Sequence, residues 1–283
     1  AQDPAGCERE TARFFSPAHV RDIINAAHTG EWEPIRRDIA TLREDLFSSP
    51  SVQRDRHEPA RSLRRLRRWA SPPCGLHLVF LGPDGVGKST VIDTIRRDLA
   101  PIFLRDKYLT FAPGLLPTRF EVLKPDGPHS LPPRSFVASL IKAAWWAACY
   151  TAGYYLTIHS FLARAGLVIN HRYLPDAIVD PKRYRYSGPK WILRALWRIA
   201  PKPHLLFLLD APAEVIQSRK REVALEETRR QRDAYRSVLG SFPFTRIIDA
   251  NRPIDQVVGE IEGIILEILS DRVSRQRLGE VET

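Results

Sequence analysis

Apolar residues between Ser16 and Leu46 recur at helical spacing, at Val20, Ile23, Ile24 and Ala27 and again at Ile35, Ile39, Leu42 and Leu46. Ser16 and Pro17 supply a cap and first turn, and Thr29 with Gly30 separates the two pieces, so this stretch predicts a helical hairpin. From His77 onward the period changes. Short apolar runs ("HLVFL", "KYLTF", "LVIN", "HLLFLLD" and "TRIIDA") alternate with helical patterns, the last one following Pro253. Five strands joined by crossovers require a parallel sheet with helices on both faces, an α/β three-layer fold.

Between these regions lies "SSPSVQRDRHEPARSLRRLRRWASPPCG", where seven arginines from Arg54 to Arg68 crowd together. It reads either as a nucleic-acid or lipid patch or as the solvated face of a short helix that docks through Leu63, Leu66 and Trp69. Pro72, Pro73 and Gly75 mark a boundary. The expected organisation is a helical extension with an Arg-rich linker over 1–74, a phosphate-binding domain over 75–270 and a charged tail over 271–283. A 21-residue run without charge, between Lys142 and Arg164, is rich in Ala, Tyr and Thr, which favours a buried or half-buried helix over a membrane span. The Pro-dense stretch from Phe111 to Ser135 reads as a lid, an acceptor loop carrying Arg119, Lys124, His129 and Arg134, or a disordered segment.

Composition narrows the ligands. Lys and Arg outnumber Asp and Glu by 43 to 33, a net +10 that suits nucleotides and other small anions and is compatible with peripheral contact with a membrane. Nucleic acid is the less expected partner, and a homodimer is compatible with the pattern. The three cysteines form no C-x-x-C pair, which fits a reducing cytoplasm without a disulfide framework or zinc site. The first residues lack the basic-then-apolar pattern of a secretory leader, and the absence of Met suits a processed or trimmed chain.

The chemistry is concentrated in "FLGPDGVGKST", Phe80 to Thr90, which satisfies G-x-x-x-x-G-K-[ST] directly after a predicted strand and before a predicted helix. Gly82, Pro83, Asp84, Gly85, Val86, Gly87, Lys88, Ser89 and Thr90 form the candidate cradle for ATP. Its glycines allow the amides to turn inward toward phosphate. Lys88 is placed to bridge the β- and γ-phosphates, and the Ser89 hydroxyl to reach Mg²⁺.

This stretch resembles the start of the thymidylate kinases, including the acid at Asp84. "LVINHRY" resembles that family's third strand with its Asp-Arg-Tyr, "LLFLLDAPAEVIQSRKR" its strand and helix before the lid, and "IIDANRPIDQVVGEI" its closing strand and last helix. The resemblance covers about Leu76 to Leu269 and implies Mg-ATP-dependent transfer of the γ-phosphoryl group to a small acceptor, by default a nucleoside monophosphate. It further implies acceptor contacts from Asp84, Arg172 and the adjoining Tyr173, and lid cations at Arg219 and Arg221. The arginines suit this independently, since a planar guanidinium matches phosphate oxygens.

One position departs from the family: His171 stands where Asp is expected. Three consequences are open. Activity is lost, a neighbouring acid (Asp176, Asp180 or Asp210) takes over, or His171 acts as a base toward a hydroxyl acceptor. The candidate catalytic set is therefore Lys88, His171, Arg172, Asp176 and Arg219. The segment "PDAIVDPKRYRYSGP" also departs, and resembles a divergent branch of kinase-like proteins associated with bacterial surface-polysaccharide synthesis. Its Asp180, Arg183 and Arg185 are candidate acceptor contacts, whereas Tyr184 and Tyr186 either stack on ligand or pack under the loop. A sugar or glycan-precursor hydroxyl is the alternative acceptor, and an ATP-binding module without transfer is the alternative function.

Overall fold

A computed structural model describes residues 8–9, 11–12, 15–29, 31, 33–48, 75–99, 102–103, 105–113, 131–221, 223–240 and 242–281. The Arg54 to Arg68 run and Arg119, Lys124 and His129 lie outside the described residues. The chain divides into two compact units, Ala1–Ala70 and Ser71–Thr283.

The first unit holds helices α1 (Pro17–Thr29), α2 (Glu33–Arg37) and α3 (Ile39–Ser48). Asp45 of α3 ties back to the start of α1, accepting from the Ser16 amide at 2.9 Å and pairing with His19 Nδ1 at 2.6 Å. Those contacts, the Ser16 amide first, pull the Asp45 carboxyl down to about 2.

The second unit is built on a five-stranded parallel sheet in the order β2-β3-β1-β4-β5. The strands are β1 (Leu76–Leu81), β2 (Asp106–Leu109), β3 (Leu167–Asn170), β4 (Leu205–Asp210) and β5 (Thr245–Asp249). Every residue of β1, β3 and β4 is buried, which explains why these strands read as continuous apolar runs, while β2 and β5 form the edges. Strand alternation sends Leu76, Leu78 and Phe80 to one core with helices α4 (Lys88–Leu99) and α10 (Ile254–Val281). Val79 and Leu81 go to the other core, with α6 (Leu174–Val179), α7 (Lys190–Ile199) and α9 (Leu225–Leu239).

Between β2 and β3 runs α5 (Phe136–Ala148), continued by a π-helical stretch, Cys149–His159, and a final turn, Ser160–Leu162. Its buried face carries Ser139, Ala143, Trp146, Tyr150, Tyr154, Ile158 and Leu162, so the uncharged run is a half-buried helix. No helix among the described residues is long and apolar enough to cross a membrane. Helix α8 (Ala213–Arg219) follows β4, and α10 continues without a break past residue 270, into the stretch whose charge suggested a tail.

Candidate phosphoryl-transfer site

β1 has β3 on one side and β4 on the other, so the chain leaves the sheet in opposite directions around β1 and opens a crevice at the carboxyl ends of these strands. The cradle fills that place. Gly82, Gly85 and Gly87 have φ of 143°, 87° and 102°, which L side chains rarely adopt. At Gly82 the restriction is doubled, because a Cβ would lie 2.4 Å from the Leu209 carbonyl oxygen. A Cβ at Gly87 would meet nothing within 4 Å, and Ser89 and Thr90 are exposed, so the cradle is open where phosphate would enter.

Lys88 begins α4 with its side chain folded back over the loop. Its Nζ donates to the carbonyls of Gly82 at 2.7 Å and Pro83 at 2.8 Å and lies 3.5 Å from Asp84 Oδ1. Its ammonium is thus fixed at the rim of the cradle. Arg219, at the end of α8, donates to the Ala250 carbonyl at 3.0 Å and the Val86 carbonyl at 3.4 Å, bridging the cradle to the turn after β5. Arg221 is exposed beyond it.

On the β3 side, Arg172 donates to Asp84 through Nη2 and to Asp176 Oδ2 through Nη1 at 2.9 Å. Arg183 pairs with the other oxygen of Asp84 and lies 3.5 Å from Asp180. Two guanidiniums therefore converge on one carboxylate of the cradle. Asp176 is buried and also accepts from the hydroxyls of Tyr184 at 2.6 Å and Tyr235. Burial alone would raise its pKa, but Arg172 and then the two phenols hold it below the usual carboxylate range. Arg172 remains charged despite burial because Asp176 stands against it.

Asp210, at the end of β4, receives Arg232 at 2.7 Å and Arg236, both from α9. These bonds outweigh burial and lower its pKa. Thus Asp84, Asp176, Asp180 and Asp210 are each engaged by arginine. No cluster of three or more His, Cys, Asp or Glu suited to a metal occurs among the described residues. His171 stacks on Tyr108 with ring centroids 6.4 Å apart. Burial, with Lys88 and Arg172 nearby, pulls its pKa down to about 3, so its imidazole is neutral and weakly basic at neutral pH.

The structure gathers Lys88, Asp84, Arg172, Asp176, Asp180 and Arg183 into one network, but sends two other candidates elsewhere. Tyr173 is fully buried, donates to the Pro201 carbonyl at 2.9 Å and meets Tyr150 edge-on at 4.8 Å, which makes it core. Arg185, at φ 52°, turns outward to the Pro132 carbonyl at 2.9 Å, while its own carbonyl accepts from the Arg134 amide. Tyr184 packs on Phe111 at 4.6 Å, and Tyr186 is buried with its hydroxyl on the Pro189 carbonyl. Gln231, Arg232, Tyr235 and Arg236 of α9 were not singled out by the sequence reading. Their signal is helical spacing: Thr228, Gln231, Tyr235 and Leu239 share the buried face, an unusually polar one.

No family model matches the chain. It is 24% identical over 218 residues to the thymidylate kinase of Leuconostoc citreum (strain KM20), covering 70% of this chain and 97% of that protein. A thymidylate kinase of Leuconostoc mesenteroides is 22% identical over 221 residues, covering 71% and 99%. Among solved structures, thymidylate kinase from Candida albicans shares the fold with a TM-score of 0.52 at 19% identity, covering 70% of this chain and 93% of that one. The chain is thymidylate-kinase-like in sequence and fold.

Proposed function

We propose that this thymidylate-kinase-like chain is an ATP-dependent phosphotransferase whose acceptor is a small anion, a nucleoside monophosphate by likeness to its relatives. The observation that carries the reading is the meeting of two opposite devices at Asp84. A main-chain cradle with Lys88 at its rim and two arginines on side-chain supports converge on that one carboxylate. Lys88 and the cradle amides would hold the donor's polyphosphate, with Arg219 bracing the loop from outside. Arg172 and Arg183 would hold an anionic acceptor group in place of Asp84, since bidentate guanidinium recognition suits phosphate oxygens. Positioning and charge compensation, rather than a protein nucleophile, are what such a site supplies.

The residues fit a largely hydrated Mg²⁺, which typically keeps several waters and takes the rest of its oxygens from substrate. Ser89 is exposed at the start of α4 to give it one hydroxyl oxygen, and the neighbouring carboxylates are spent on arginines. When bound, the ion would offset phosphate charge. Neither His171, neutral and weakly basic, nor Asp176, held by three donors, is suited to act as base in this arrangement.

A sugar-bearing acceptor is the second reading. It is favoured by the insertion of Arg183 and Tyr184, from the segment that departs from the thymidylate kinase pattern, into the acceptor network. Incubation with γ-labelled ATP, Mg²⁺, a panel of nucleoside monophosphates and a panel of sugar phosphates and glycans separates these. Label on dTMP or another monophosphate supports the first, and label only on a sugar or glycan supports the second. ATP binding with no labelled acceptor leaves a nucleotide-binding module and overturns the transfer reading.

A further inference from the structure

Asp176 and Asp180 stand behind the acceptor arginines, and each is reached from α9. Asp176 holds Arg172 at 2.9 Å and accepts from the hydroxyl of Tyr235. Asp180 lies 3.5 Å from Arg183 and accepts from Gln231 Nε2 at 3.3 Å. The two carboxylates are four residues apart, at α6 and its C-terminal cap, and Gln231 and Tyr235 are four apart on the buried face of α9. The result is two parallel chains, Tyr235–Asp176–Arg172 and Gln231–Asp180–Arg183, that end on the same Asp84 of the cradle. Helix α9 is the next helix after α8 and its terminal Arg219.

We propose that Tyr235 and Gln231 are positioning residues that fix Arg172 and Arg183 through Asp176 and Asp180, so that acceptor recognition depends on the seating of α9. A buried carboxylate holds a guanidinium in one geometry only when its remaining lone pairs are also satisfied. Tyr184 and Tyr235 do this for Asp176, and for Asp180 the Arg183 amide at 3.2 Å does it together with Gln231, whose own amide is shared with Glu227 Oε1 at 3.1 Å. A phenol in this place donates a hydrogen bond without giving up its proton, since burial first and then Asp176 push the Tyr235 hydroxyl well above its ordinary pKa. Each chain is a separate support, so the two arginines are expected to loosen one at a time. The functional meaning rests on the phosphotransferase reading, but the support itself is testable without any acceptor.

The test is arginine modification by phenylglyoxal, mapped by peptide mass spectrometry, on the full chain and on the variants Tyr235→Phe and Gln231→Leu. Exposed Arg194 and Arg198 serve as internal references. In the parent chain Arg172 and Arg183 should react much more slowly than these references. Tyr235→Phe should speed Arg172 roughly tenfold, about the effect of losing one charge-assisted hydrogen bond, and leave Arg183 nearly unchanged. Gln231→Leu should do the reverse. If both variants leave both arginines protected, or if both arginines loosen together in step with a general loss of thermal stability, α9 is only a packing partner and the proposal fails. Where the parent chain transfers label to dTMP, Tyr235→Phe should raise the KM for dTMP about tenfold with the KM for ATP unchanged, whereas equal changes in both would overturn the proposal. A parent chain that transfers to no acceptor removes the kinase reading and leaves the modification map to decide this one.

Discussion

The proposed donor cradle and the proposed acceptor side meet at Asp84 but are made of different materials. The cradle is main chain: Gly82, Gly85 and Gly87 set its shape through φ, and Lys88 is held by carbonyls five and six residues away. The acceptor side is an ion-pair network whose members are distant in the chain, Asp84 and Arg172 standing 88 positions apart and Asp176 and Tyr235 59 apart. A cradle of amides recognises any polyphosphate and tolerates change outside a few positions. A network of buried charges is selective, and the loss of one member leaves another uncompensated.

That contrast can be broken first at Lys88. Lys88→Ala should lower transfer about 10²- to 10³-fold, as removal of a positioned charge-stabilising donor does elsewhere, with the fold intact by circular dichroism. On the acceptor side, Asp176→Ala should instead act on stability. Losing one partner of a buried pair costs about 3–5 kcal/mol, read from denaturant unfolding. Arg183→Gln should raise the acceptor KM roughly tenfold while leaving the ATP KM alone, and Arg185→Gln, which removes only an outward contact to Pro132, should change neither. Within the cradle, Gly82→Ala combines strain with a collision at the Leu209 carbonyl and should cost about 1–3 kcal/mol. Gly87→Ala meets only the strain and should cost about 1 kcal/mol.

Burial also makes stability depend on pH. Burial lowers His77 to about 4 and both His171 and His204 to about 3. The unfolded chain binds these protons near the ordinary histidine value of about 6.5, so between that value and 4 the unfolded state holds more protons than the folded one. Stability is therefore complete above about pH 6.5 and declines as pH falls toward 4. Urea midpoints at a series of pH values should show this decline, and His77→Gln should make it shallower.

The same division explains what could be read from the chain. The shape of the cradle was legible because its pattern is written in eleven contiguous residues, Phe80 to Thr90, and the three central strands because buried parallel strands are apolar throughout. Arg172 was legible from its place after a strand. Its supports were not, because Tyr235 and Gln231 look like ordinary helix residues until α9 is docked on α6. Asp176 is one of three carboxylates that the sequence offers as a substitute metal partner, since an acid near a phosphate site invites that role, yet burial beside Arg172 commits it to a cation already present. Tyr173 adjoins Arg172 in sequence, and the turn into α6 sends it into the core between Tyr150 and Trp197.

The account stands on the amides and lysine of the cradle gripping a nucleotide's phosphates, and titration calorimetry with Mg-ATP measures that directly. The parent chain should bind with a measurable heat that Lys88→Ala largely abolishes. An absence of binding by the parent chain, or equal binding by the variant, would contradict it.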